Sequence, residues 1–187
     1  KSVSAALKKL TSVQVLNLRA NDFRPSGAKY ISVALQELTA LRELDLSGNR
    51  FHSIGAKHIS LALKGLTGLL KLTLAVNRFG PDAAAHVSAA LGELTGLLTL
   101  DLSRNDIDHV GAGHLSAALR VLTRLQRLDV QENNFGTVGA RHISAALGEL
   151  TNLNRLCLCS NRIGAAGGAH VSAQVRKLTG LRNLWLS

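Results

Sequence analysis

The sequence predicts an α/β solenoid made of stacked copies of one short unit, and three observations predict it. A period of 28 residues runs through the chain without an insertion. Inside each period, a stretch of alternating apolar and polar residues precedes an apolar helical stripe. Hydrophobic residues make up 46% of the chain but aromatic residues only 3%, so aliphatic side chains must fill the core.

The period is clearest in a column of asparagines. Its members are Asn21, Asn49, Asn77, Asn105, Asn133 and Asn161. We divide the chain into one domain over residues 1–187, with a partial unit at 1–10, six 28-residue units over 11–178 and a partial unit at 179–187. One unit cannot bury its own apolar stripe, whereas stacked units bury a continuous spine.

Each unit is predicted to hold one strand and one helix. Residues 41–46 alternate between apolar and polar and predict a strand, and residues 55–66 predict a helix with one apolar stripe. By the same pattern we expect a helix at 3–10 and a strand at 181–187. The position two residues after each asparagine is predicted to be core, and it is occupied by Phe23, Phe51, Phe79, Ile107, Phe135 and Ile163.

The pattern Leu44-x-Leu46-x-x-Asn49-x-Phe51, followed by Gly55-Ala56, resembles the leucine-rich repeat. The unit length and helical second half are similar to the ribonuclease-inhibitor-like subclass and to the repeats of NOD-like receptors. The resemblance implies a right-handed horseshoe with a parallel β-sheet on the concave side and helices on the convex side. It also implies that each asparagine binds backbone groups of neighbouring units. That role is physically sound, because a buried turn leaves peptide groups that an amide side chain can satisfy.

Functional residues are expected on the concave face, which we define as the side of the sheet turned away from the helices. Alternate residues of a strand share a face, so the positions equivalent to 43, 45 and 47 lie there. The predicted partner-binding residues are Arg19, Glu43, Asp45, Lys71, Thr73, Asp101, Arg127, Asp129, Arg155 and Trp185. These positions carry as many bases as acids, although the whole chain has a formal charge of +10. Mixed charge on a rigid sheet favours a protein partner.

The sequence therefore predicts a non-catalytic protein-interaction module of a larger sensor, scaffold or effector, with no cofactor. One alternative is nucleic-acid or polyanion binding through basic loops and the convex surface, carried by Arg50, Arg78, Arg162, Lys29, Lys57 and Arg141. Some similar horseshoes activate GTPases, so regulation of a GTPase is a third function class. No nucleophile, base and orienting acid stand out from the repeated background, and residues 164–168 belong to the loop-to-helix position instead of a phosphate-binding loop.

Two further sets of residues, a column of histidines and a pair of cysteines, are of types that bind metals or form disulfides. A histidine column comprises His58, His86, His114, His142 and His170, with Tyr30 in the first position. Adjacent helices lie about 10 Å apart, so we expect inter-helix packing and hydrogen bonding there, and no metal site. Cys157 and Cys159 share one face of a strand at a spacing that disfavours a disulfide, which predicts free thiols and a reducing, cytoplasmic compartment. This pair alone makes an incomplete soft-metal site.

The ends of the chain carry a last set of expectations. No apolar run approaches the roughly 20 residues of a membrane span, and no signal peptide is visible. Residues 184–186 form an apolar edge, which predicts association with another chain through the C-terminal strand. Trp185 is either an energetic anchor for a partner or a cover for that edge.

Overall fold

The computed structural model describes residues 2–7 and 9–186, and within them seven helices alternate with seven short strands. The helices are α1 Ser2–Leu7, α2 Arg24–Leu35, α3 His52–Leu63, α4 Gly80–Leu91, α5 His109–Leu119, α6 Gly136–Leu147 and α7 Gly164–Val175. The strands are β1 Val15–Asn17, β2 Glu43–Asp45, β3 Lys71–Thr73, β4 Thr99–Asp101, β5 Arg127–Asp129, β6 Arg155–Cys157 and β7 Asn183–Trp185.

The strands form one open parallel sheet in chain order, β1 to β7. Its register places equivalent residues beside each other, as in Leu44 opposite Leu72 and Asp101 opposite Asp129. Helices cover one face of this sheet and leave the other exposed. The predicted α/β solenoid is therefore confirmed, and each sequence column becomes a row of neighbouring side chains.

Element boundaries differ from the predicted ones at the helix ends. The helix expected at 55–66 spans 52–63, because the backbone N–H of Gly55 already donates to the Phe51 carbonyl at 2.9 Å. After residue 63 the N–H of Leu66 donates to the Leu63 carbonyl at 2.9 Å, three residues back, which marks a tighter 3₁₀-type turn. The same tightening ends α1 at Leu7, short of the predicted residue 10.

The predicted strands are also shorter in the structure, because only three residues of each pair in the ladder. The strand expected at 41–46 is Glu43–Asp45, and the one expected at 181–187 is Asn183–Trp185. Residue 187 lies outside the described part of the chain. At this edge Leu184 is 40% exposed, whereas the equivalent Leu156 is fully buried. Association through that edge stays a prediction.

The core is the predicted aliphatic spine. Phe51, Phe79, Ile107, Phe135 and Ile163 are buried, as predicted. Phe23, in the same column, is only partly buried, because no complete unit covers its outer side within the described residues.

Close packing of helices α5 and α6 depends on a glycine at position 139. A Cβ added at Gly139 would lie 2.8 Å from the Phe135 Cβ and 3.1 Å from the Ala112 Cβ. Helix α6 therefore approaches α5 at a distance that any larger residue would increase.

The asparagines form a hydrogen-bonded ladder inside the loops that follow the strands. The Asn77 Oδ1 accepts from the backbone N–H of Asn49 at 3.0 Å. Its Nδ2 donates to the carbonyls of Leu46, Leu74 and Ala75 at 2.9 to 3.2 Å. One amide thus satisfies backbone groups of its own unit and of the preceding unit, which confirms the predicted structural role.

These loops need that support because their backbone is strained. Gly48, Arg50 and His52 alternate with ordinary residues and all have φ between +52° and +68°. The left-handed region costs a side-chain-bearing residue about 1 to 2 kcal/mol. The ladder supplies the compensating hydrogen bonds, and the strained residues turn the chain out of the sheet.

Replacing Asn105 by alanine is expected to destabilise the fold by at least about 3 kcal/mol. The change removes three donations, to the Leu74, Leu102 and Ser103 carbonyls, and the acceptor of the Asn77 N–H. Each buried group left unpaired costs about 1 to 3 kcal/mol. Urea unfolding followed by circular dichroism measures the loss.

Asn21→Ala is the matched control, because the Asn21 side chain is exposed and, among the described residues, donates only to the Leu18 and Arg19 carbonyls. We expect this variant to lose less than about 1 kcal/mol. Equal losses of unfolding free energy in the two variants would contradict the idea that the asparagine ladder stabilises the fold through its buried amides.

Candidate functional site

The exposed face of the sheet carries three columns of side chains that run across the strands. The first column is Val15, Glu43, Lys71, Thr99, Arg127, Arg155 and Asn183. The second column is Asn17, Asp45, Thr73, Asp101, Asp129, Cys157 and Trp185. The third column follows the strand ends and contains Arg19, Ser47, Ala75, Ser103, Gln131 and Cys159. Neighbouring members of a column are about 4.8 Å apart, the spacing of paired strands.

Charge is segregated between the first two columns. The first column holds three bases, Lys71, Arg127 and Arg155, and one acid, Glu43. The second column holds only acids among its charged members, and these are Asp45, Asp101 and Asp129. With Arg19 from the third column the concave face carries four bases and four acids, as predicted, but a basic row lies beside an acidic row.

The basic row contains two adjacent arginines with different surroundings. Arg127 and Arg155 are register partners and both are exposed. The Arg155 guanidinium lies 4.7 Å from the centre of the Trp185 ring, a cation–π contact. The Arg127 side chain forms no hydrogen bond or ion pair with any described residue. Lys71, by contrast, lies 3.4 Å from the Glu43 carboxylate.

The acidic row has two kinds of carboxylate. Asp101 accepts hydrogen bonds from the backbone N–H of Ser103 at 2.9 Å and from its hydroxyl at 2.7 Å. Asp129 accepts the backbone N–H of Gln131 from the third column, at 3.1 Å, and lies beside the Cys157 thiol. Burial raises the pKa of Asp129 above its ordinary value, and the neighbouring negative charge of Asp101 raises it further.

Six of the ten predicted residues meet at one depression of about 200 Å³ on this face. They are Lys71, Thr73, Asp101, Arg127, Asp129 and Arg155. Glu43 and Asp45 line a smaller neighbouring depression. Arg19 lies at the N-terminal end of the face, and Trp185 lies at the other end beneath Arg155. The sheet thus brings acids and bases from four strands, β3 to β6, into reach of one bound segment.

Two positions of the histidine column accept hydrogen bonds from the preceding helix through their backbone carbonyls. The Ser116 hydroxyl donates to the His142 carbonyl at 2.6 Å, and the Ser4 hydroxyl donates to the Tyr30 carbonyl at 2.7 Å. The imidazole of His142 lies over Gly113 of the neighbouring helix. In these two hydrogen bonds between helices the acceptor is a main-chain carbonyl. Over residues 2–7 and 9–186, no three or more His, Cys, Asp or Glu side chains are grouped to hold a metal ion.

Sequence reasoning missed where the excess positive charge lies. The loops after the strands are nearly neutral, because Arg50 pairs with Asp22 and Arg104 pairs with Glu132. The excess lies where helices end and strands begin, a region we call the basic edge. Its bases are Lys9, Arg42, Lys64, Arg120, Arg124, Arg176, Lys177 and Arg182, and its acids are Glu37, Glu93 and Glu149. Grouping the charged residues by their position within the 28-residue unit would have revealed the basic edge.

Within residues 2–7 and 9–186 we find no helix whose length and apolar content would let it span a lipid bilayer.

Comparison with known proteins agrees with this geometry. The family model described as "Leucine Rich repeat" matches residues 9–32, 37–60, 95–116 and 121–144. No curated protein sequence gives a significant match. The structure of internalin C2 from Listeria monocytogenes is similar, with a TM-score of 0.62 and 18% identity over 98% of this chain and 84% of that one. The structure of the leiomodin-1 actin-binding site 2 has a TM-score of 0.59 and 16% identity over 68% of this chain and 76% of that one. At these identities the two structures show the fold alone, and the ribonuclease-inhibitor-like subclass is not confirmed.

The raised pKa of Asp129 predicts a pH-dependent effect of Asp129→Asn. The folded chain holds this proton more tightly than the unfolded chain, so parent stability falls as pH rises from the ordinary aspartate range through the folded pKa. Relative to the parent, Asp129→Asn is therefore expected to gain stability between about pH 3 and pH 7. Urea unfolding at several pH values measures the difference.

Asp22→Asn is the control, because its stability relative to the parent is expected to change with pH in the opposite direction. Its hydrogen bond from Arg24 lowers the pKa of Asp22, so ionised Asp22 stabilises the fold and its removal costs stability as pH rises. A relative loss for Asp129→Asn over the same range would contradict the assignment.

Proposed function

The chain belongs to the leucine-rich repeat family, and on that premise we propose that it is a non-catalytic module that binds a protein partner on its concave face. One observation carries the proposal: like charges stand next to each other in both columns. Arg127 lies beside Arg155, and Asp101 lies beside Asp129. Neither pair is neutralised within its own column.

Such an arrangement favours a partner of complementary pattern. Like charges on opposite strands destabilise a sheet, and an incoming opposite charge relieves that repulsion. The two columns are about 7 Å apart, the length of two strand residues. The partner segment therefore presents a carboxylate to Arg127 and Arg155 and an ammonium or guanidinium group to Asp101 and Asp129.

The Trp185 ring supports this role by positioning a base. It holds the Arg155 guanidinium from one side, so less side-chain freedom is lost when a carboxylate binds. In this proposal Trp185 orients a binding residue and also offers its own partly exposed ring. The leiomodin-1 structure, titled as an actin-binding site, supports the use of a similar fold for binding a protein. No particular partner follows from it.

Reversal of charge at Asp101 or Arg127 is expected to weaken partner binding at least about tenfold, or about 1.4 kcal/mol. The immobilised parent, Asp101→Lys and Arg127→Glu chains are incubated with cell extract, and bound proteins are quantified by mass spectrometry. Dissociation constants are then measured for each purified candidate. A partner of the concave face is lost from both variants.

Arg141→Glu is the matched control, because Arg141 is exposed on the convex helix α6. This variant should retain the partner, and circular dichroism should show that all three variants fold. The proposal fails if every captured protein stays bound to both concave variants while the folding-defective Asn105→Ala chain alone loses them.

We infer a second candidate function, polyanion binding, from the basic edge. Eight bases face three acids along this side of the described chain, and these bases form no ion pair with a described residue. Lys64, Arg120 and Arg176 are helix C-caps, where the helix dipole also favours a cation. The edge has no tryptophan, tyrosine or phenylalanine, so it would contact phosphates and not stack bases.

The double variant Arg120→Glu/Arg124→Glu tests this second function. Binding of a labelled RNA duplex is measured by fluorescence anisotropy at low salt and at physiological salt. We expect clear binding at low salt and a weaker Kd, between about 10⁻⁴ and 10⁻⁶ M, at physiological salt. The double variant should bind more weakly and with a shallower salt dependence, whereas Arg127→Glu on the concave face should match the parent. The candidate is overturned if the parent shows no binding at low salt or if Arg127→Glu has the larger effect.

A further inference from the structure

Strand β6 breaks the polar pattern of the second and third columns. In β2 and β4 these positions hold an aspartate and a serine, and the serine hydroxyl donates to the carboxylate. The distances are 2.6 Å for Ser47 to Asp45 and 2.7 Å for Ser103 to Asp101. At β6 the same two positions hold Cys157, the last residue of the strand, and Cys159, two residues beyond it. Two thiols therefore replace a hydrogen-bonded pair, on a backbone that is otherwise equivalent.

The two sulfur atoms are close together and point to the same side. The Cys157 Sγ lies 3.0 Å from the Cys159 Sγ. Both lie near the Gln131 Oε1, at 3.5 Å and 3.3 Å, so one amide oxygen accepts from the pair. Cys157 is buried and Cys159 is partly exposed, which leaves the pair open to the concave face. A ligand that binds both sulfurs needs little rearrangement of the chain.

The Cys157 thiol is poorly suited to reactions that need a thiolate, and the pair is poorly suited to forming a disulfide. Burial, together with the neighbouring Cys159 thiol, raises the pKa of Cys157 to about 12, so little reactive thiolate is present at neutral pH. Direct disulfide formation is also disfavoured. Residues i and i+2 of a strand have Cα atoms about 6.6 to 6.8 Å apart, at the upper limit for a disulfide. A single atom that bridges the two sulfurs avoids this limit.

The number of available ligands decides which kind of atom the two sulfurs can bind. A structural zinc ion needs four ligands, and although Asp129 lies beside Cys157, the described residues contain no group of three or more His, Cys, Asp or Glu that could hold a metal ion. A trivalent arsenic centre needs only two sulfurs on one side, because its own substituent fills the third position of its pyramid. We propose that Cys157 and Cys159 form a dithiol site for trivalent arsenicals and similar soft centres with two exchangeable positions.

The reaction balances without an oxidant. A dihydroxyarsine bearing one organic substituent loses both hydroxyl groups, and two As–S bonds replace two As–O bonds. The two thiol protons leave with those hydroxyl groups as two water molecules. Arsenic stays trivalent, and both sulfurs keep their oxidation state.

Phenylarsine oxide is the test ligand, and the chain supplies its own reporter. Trp185 is the single tryptophan and is the register partner of Cys157, so its fluorescence is expected to change on binding. Mass spectrometry should show one adduct per chain with loss of both free thiols. A 1,2-dithiol such as dimercaptopropanol should reverse the adduct, and a monothiol at equal thiol concentration should not.

Cys157→Ser and Cys159→Ser each leave one sulfur and are expected to lower the affinity by about 10² to 10⁴-fold, the usual advantage of a second tethered contact. Circular dichroism confirms that they fold. The double variant Asp45→Cys/Ser47→Cys places the same pair on β2 and should bind a second equivalent. The proposal is overturned if either single-cysteine variant binds as tightly as the parent, or if both parent thiols stay free.

Discussion

The structure depends on the amide of one repeated asparagine. The loop after each strand bends through left-handed residues and buries backbone carbonyls that neither the sheet nor the helices reach. The asparagine Nδ2 satisfies those carbonyls, and its Oδ1 accepts the N–H of the preceding asparagine. Because each amide links two units, a unit is stable only when its neighbour is folded. The ladder is incomplete at the C-terminal end, where the Asn161 Oδ1 is buried without a partner within the described residues.

Binding chemistry follows from this constraint. The ladder fixes where each strand ends, the strand ends fix the register, and the register aligns the exposed side chains in columns. Neighbouring residues such as Arg127 and Arg155 are therefore close although they lie 28 residues apart in the chain. The scaffold holds them there without hydrogen bonds between them. Substitution at these positions changes the surface charge while leaving the core unchanged.

Periodicity made most of the fold predictable, and departures from periodicity account for what was missed. The leucine and asparagine columns gave the order of strands and helices, because burial repeats wherever the sequence does. Helix ends were misplaced by three residues, because the 3₁₀ turn after Leu63 keeps Leu66 buried without extending the helix. The concave residues were predicted, but their contacts were not. The stacking of Arg155 on Trp185 and the approach of both cysteines to Gln131 depend on side-chain rotamers, which a repeat pattern does not specify.

The in-register sheet also imposes a fixed spacing on any ligand that lies across its strands. Its columns advance by about 4.8 Å per strand, whereas an α-helix advances by about 5.4 Å per turn. A straight helix laid along a column therefore falls out of phase by about 0.6 Å at every strand, and after four strands the mismatch approaches half a step. A single helix laid along one column therefore stays in phase with the side chains of only a few neighbouring strands. A ligand that reads the whole face must curve with it or supply its contacts from several separate loops.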